Sequence, residues 1–233
     1  MRGFSIIAVS AFLAVAGFAP VSAQVEGVDI TANASRLFAE HCYEPNQRGG
    51  RALEPVSGAA WEFVAGEFRE RLGIPDDPAV KAWFRPGAST DEFILLQIHE
   101  RRLDRAGVHS GQLRISCRVV AVSPKVQAET LRERVAQIVG SPPGGTRGDT
   151  LERLGYPTPE GWDQACWTIL ERIEDTDWQG DTYDGRPRCF SLTTPRNYTV
   201  SQYIVIRLLT RNDGGTAILE FDRTLPPDAL KDD

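Results

Sequence analysis

Polar and apolar positions repeat with a period of two in the middle of the chain. Leu113, Ile115, Cys117, Val119 and Ala121 alternate with Arg114, Ser116 and Arg118, which is the pattern of a half-buried strand. Residues 93–98 are nearly all apolar, and the two segments are expected to pair as a hairpin. The charged stretch 100–111 between them, closing on Gly107 and Gly111, reads as its exposed loop. Further on, residues 200–209 are expected to pair with 217–221 across Asn212, Asp213, Gly214 and Gly215. Residues 166–173 and 188–192 read as two more strands flanking an acidic loop.

A period near 3.6 appears in three other places. Leu37, Phe38 and Cys42 share a helical face behind Thr31 or Asn33 as N-cap, after a flexible lead at 24–30. From Ser57 onward, Trp61, Val64, Phe68 and Leu72 fall on one stripe, and Gly73 with Pro75 supplies the stop. Ser123 and Pro124 open the third helix, which places Ala128, Leu131, Val135, Ile138 and Val139 on one face and ends at Gly140. Asp149 and Glu152 suit the cap of a short helix ending near Gly155.

Grouped helices and hairpins without steady strand–helix alternation predict an α+β fold: a mainly antiparallel sheet built from hairpins and packed against three or four helices. Residues 24–225 are expected to form one domain, with a point of subdivision at the Pro- and Gly-rich segment 141–148, and 226–233 a frayed polar tail. The hairpin around 203–221 loosely echoes the one around 93–117, but no fixed motif repeats.

The N-terminus changes the compartment in which this fold is read. Arg2 precedes an apolar run from Phe4 to Phe18, too short to span a bilayer, and Val21, Ser22 and Ala23 provide the small residues of a cleavage site. Residues 1–23 are therefore expected to be a secretory signal, cut before Gln24, and the protein to be periplasmic or secreted with no stable membrane insertion afterwards. In such a compartment four cysteines form bridges. Locality favours Cys166 with Cys189, and packing of the first helix on the alternating strand favours Cys42 with Cys117.

Net charge is −6 and the longest basic run is Arg101–Arg102, which argues against nucleic acid as a partner. Catalytic motifs are incomplete. Gly87-Ala88-Ser89-Thr90-Asp91 lacks the final glycine of a nucleophile elbow. Residues 140–145 have the glycines of a phosphate loop, but Pro142 and Pro143 remove donors and Thr146 replaces the lysine. His99-Glu100 has Leu103 where a zinc protease has its second histidine. No cofactor is expected.

The most concentrated polar cluster is Glu171, Glu174, Asp175, Asp177, Asp181 and Asp184. Asp175, Asp177, Gly180 and Asp181 match parts of a calcium loop, yet Arg186 stands where the bidentate glutamate belongs. Asp175, Asp177, Asp181 and Asp184 are the candidate cation ligands; Asp175 and Asp177 with Glu171 or Glu174 are the candidate acids of a carboxylate-dependent hydrolase. The reading favoured over both is a non-catalytic envelope module that binds a protein, a glycan or a small ligand. Of the five tryptophans, Trp83, in a Pro- and Gly-flanked loop, and Trp178, in the acidic loop, are the ones expected to be exposed as anchors.

Overall fold

The alternating segments form one antiparallel sheet. A computed structural model describes residues 29–47, 52–55, 61–102, 113–143, 158–170 and 203–225. Among these, seven strands are ordered β1-β2-β3-β4-β7-β6-β5: β1 is Glu62–Phe63, β2 Val80–Pro86, β3 Phe93–Arg102, β4 Leu113–Val122, β5 Trp162–Leu170, β6 Tyr203–Arg211 and β7 Thr216–Leu225. Two three-stranded meanders, β2-β3-β4 and β5-β6-β7, thus meet through their last strands. Cys117 stands opposite Ile98 on one side and Phe221 on the other.

One face of the sheet carries the main core. Leu96, Ile115, Val119, Leu219, Phe221, Ile206 and Trp167 point into it and are almost fully buried. Against them lies α1 (Ile30–Leu37), which continues as a π-helical turn over Phe38–Tyr43 and ends as α2 (Glu44–Gln47). The cap is Asp29, whose carboxylate accepts from the Thr31 N–H at 3.0 Å, in place of the expected Thr31 or Asn33. Thr31 is needed elsewhere: its hydroxyl accepts from the Gln127 N–H at 3.1 Å and ties α1 to the start of the helix that follows β4.

That helix, α4 (Ala128–Val139), begins at Gln127 rather than at Ser123-Pro124, which form a turn, and Gly140 (φ +81°) closes it as expected. Leu131 and Val135, four residues apart, enter the core, and such side chains contribute about 1.5–3 kcal/mol each. Cys42, turned inward by the π-helical segment, is bonded to Cys117 with Cα atoms 5.4 Å apart.

The opposite face is covered at the β1–β3 end by a smaller cluster in which Val64, Ile74, Val80, Ala82 and Leu95 pack with Phe68 and Leu72. Here the sequence expectation fails in part. The stripe of Val64, Phe68 and Leu72 does share one cluster, but Ala65 is extended and only Gly66–Arg71 is helical (α3). Trp61 joins the main core on the other face instead, because Glu62–Phe63 is strand. Arg69 secures the turn after α3 by donating to the carbonyls of Pro75, Asp77 and Val80 at 2.6–2.9 Å.

A second correction concerns Trp83. It lies in β2, not in a loop, and is 7% exposed. The proline that suggested a loop, Pro86, sits at the last position of the strand, where a missing N–H interrupts nothing further. Residues 87–91, the incomplete nucleophile elbow, are the β2–β3 turn. Its glycine serves packing: a Cβ on Gly87 would lie 2.4 Å from that of Glu92, whose carbonyl accepts from the Gly87 N–H. No helix among the described residues is long and apolar enough to cross a membrane.

Candidate functional site: a charged sheet face and an aromatic edge

Beyond the α3 cluster, the face away from the main core turns polar. Register fixes which side chains meet. Gln97 of β3 is opposite Arg118 of β4, which is opposite Glu220 of β7, which is opposite Arg207 of β6. One row along, His99, Ser116 and Asp222 are aligned, and in the next row Arg101 stands directly across from Arg114. Charged side chains occupy the alternate positions of strands whose other side builds the core.

The floor of this face is buried. Glu220 is 3% exposed and forms ion pairs with both Arg118 and Arg207. Asp222, 4% exposed, accepts from Arg114 Nε at 3.3 Å and Nη2 at 3.1 Å. Each carboxylate is therefore held by guanidinium groups, as burial of an ion demands. Arg114 and Arg118 still show about a third of their side-chain surface to solvent, 34% each.

His99 lies within this lattice with its Nε2 3.8 Å from Asp77. Burial holds its pKa below the usual histidine value, and Arg101 and Arg114 push the same way against the opposing pull of Asp77 and Asp222. The imidazole is thus neutral at neutral pH. Chemically, the arrangement offers fixed guanidinium donors at the surface, positioned by acids beneath them.

At the β1 edge of the main-core face the chemistry is apolar. Phe63 is 57% exposed and packs edge-to-face on Trp83 at 5.8 Å between ring centroids. Leu53, 56% exposed, lies in a segment hooked onto the π-helical turn: its N–H donates to the His41 carbonyl at 3.0 Å, and its own carbonyl is 2.7 Å from His41 Nδ1. The His41 ring meets Trp61 edge-on at 6.4 Å. On the other side Glu54 pairs with Lys81 of β2. Contacts thus join Leu53, His41 and Trp61 in one group and Phe63 with Trp83 in another, and Trp61 and Trp83 both pack in the main core. A shallow groove of about 310 Å³ lies at the far end of the sheet, between Glu129 and Arg132 of α4 and Asp163 and Thr210 of β5 and β6.

The residues singled out from sequence are mostly elsewhere. Asp175, Asp177, Asp181 and Asp184, with Glu171, Glu174, Trp178 and Cys189, lie outside the described residues. Cys166 is buried on β5 and disulfide-bonded; its expected partner, Cys189, is among those outside. No group of three His, Cys, Asp or Glu able to hold a metal ion occurs among the described residues. His99 and Glu100 point to opposite faces of β3, as strand geometry requires.

The charged lattice was missed in the sequence, although half of it was visible. Arg114, Ser116 and Arg118 were legible as the outward side of β4, whereas the facing acids Glu220 and Asp222 needed the β4–β7 register. No protein-family model matches the chain, and no curated protein and no solved structure matches it.

Proposed function

We propose that this chain is an exported, non-catalytic interaction module that takes a protein partner on the aromatic edge around β1. The observation that carries this reading is the exposure of Leu53, hooked to His41, and of Phe63 in β1, in a chain whose other apolar side chains of comparable size are covered among the described residues. Single exposed hydrophobics are ordinary, but a contiguous group with aromatic members at a sheet edge is a common form of contact surface. Among the described residues the two-residue β1 is an edge of the sheet at which a partner strand is able to add, with Phe63 as its exposed apolar anchor. The Cys42–Cys117 bridge supports an oxidising compartment.

The test is site-specific crosslinking in the native host. A photoreactive phenylalanine analogue at Phe63 is expected to give a discrete protein adduct, lost when Leu53→Asp is added. The same analogue at Asn212, exposed in the β6–β7 turn, is the control. No adduct at Phe63, or the same adducts at both positions, would refute the reading.

A further inference from the structure

We propose that Arg101, Arg114 and Ser116 form an oxyanion-binding site on the charged sheet face, taking the carboxylate or phosphoryl group of a small soluble ligand. It lies on the face opposite the aromatic edge and does not depend on it. The first observation is the register: Arg101 and Arg114 are direct cross-strand partners on one face. Like charges placed directly opposite each other destabilise a sheet, and an anion between them turns that cost into attraction.

The second observation is the state of the two guanidinium groups. Arg114 is oriented by Asp222 beneath it, while Arg101 is exposed and has no carboxylate partner among the described residues. One arginine is thus pre-positioned and the other is available, which is how a fork-shaped donor pair grips a planar or tetrahedral oxyanion. Ser116, half-buried beside Arg114 on the same face of β4, adds a hydroxyl donor.

Among the described residues, Arg101, Arg114, Arg118 and Arg207 share this face with Glu220 and Asp222, and Asp77 lies beside His99. Arg118 and Gln97, two rows along, are placed to meet a second polar group of a longer ligand.

Titration of the isotopically labelled full chain with inorganic phosphate and, separately, with citrate, at ionic strength matched with chloride, tests this directly. The expected result is saturable shifts of the Arg101, Arg114 and Ser116 amide signals with at least one of the two anions, and which one responds identifies the ligand as phosphoryl or carboxylate. Arg101→Ala is expected to weaken that binding tenfold or more. Its melting temperature without ligand should equal or exceed that of the wild type, since repulsion with Arg114 is relieved. Arg101→Glu, which places an acid across from Arg114, is expected to abolish binding altogether. General stabilisation by these kosmotropic anions would act alike on wild type and variants. Shifts that fail to saturate with both anions, or binding unchanged in Arg101→Ala, would overturn the proposal.

Discussion

Removal of one carboxylate, Glu220→Ala, should cost far more than its single position on a strand suggests. The side chain of Arg207 is 11% exposed and that of Glu220 4%, so the mutation leaves a guanidinium in the interior without the acid that faces it. Breaking a buried pair from one side costs about 3–5 kcal/mol, whereas replacing both partners with apolar groups of similar volume is often neutral. Arg118 adds little to the loss, because at 34% exposure its charge is largely solvated. For a chain of this size, that loss corresponds to a fall in melting temperature of roughly 6–20 °C. Urea unfolding followed by tryptophan fluorescence measures it well, since Trp83 and Trp167 are both buried in the sheet. The double variant Glu220→Met with Arg207→Met should recover most of the loss. If Glu220→Ala costs less than about 1 kcal/mol, or the double variant is worse than the single, the lattice is not a desolvated network.

Two further outcomes are expected. Replacing Cys42 and Cys117 by serine opens a loop with a sequence separation of 75 residues, and in the chain-entropy model this should lower stability by about 4.5 kcal/mol in denaturant titration; a loss under 1 kcal/mol would contradict it. Stability should also fall in acid in two stages. His99 titrates below its unfolded value, so its contribution is complete above about pH 6.5 and declines as pH drops through that value, because the unfolded chain takes the proton first. Glu92, held low chiefly by its hydrogen bond to Lys125, contributes above the ordinary glutamate range and is lost as pH falls further. His99→Gln should remove the first stage alone in pH-dependent melting; an unchanged profile would show that another group produces it.

How much of this was legible depended on whether the signal was local. The β3–β4 pairing could be read because the apolar run of β3 and the alternation of β4 are both strong, the β6–β7 hairpin because two apolar runs flank a short turn, and α4 because its apolar face and closing glycine coincide. β2 was not legible: Lys81 and Arg85 interrupt it, and Pro78, Pro86 and Gly87 flank it, so its only strong cue was the company of β3. The segment 61–72 misled because Val64, Phe68 and Leu72 satisfy a helical period while serving two successive elements. The charged face was invisible for a different reason. Its ion pairs join residues up to 108 positions apart, as Arg114 and Asp222 are, and only the meeting of the two meanders brings them within reach.

That meeting of β4 with β7 also sets the order in which the protein is able to assemble. Cys117 and Phe221 are neighbours across the sheet but 104 positions apart along the chain, so this pairing pays a large loop-closure entropy and closes late. Until β7 arrives, β4 is a ten-residue strand with one open edge and an alternating apolar side, the kind of edge that recruits other chains. The bridge from Cys42 anchors the same strand to the first helical segment, and everything it joins lies within roughly the first half of the chain. A chain crossing a membrane from its N-terminus would present that half first, with β4 already covered on its main-core side and vulnerable only along its edge. On the proposed export route, aggregation should therefore depend on the delay between the emergence of β4 and that of β7, and lengthening the segment between them should worsen it.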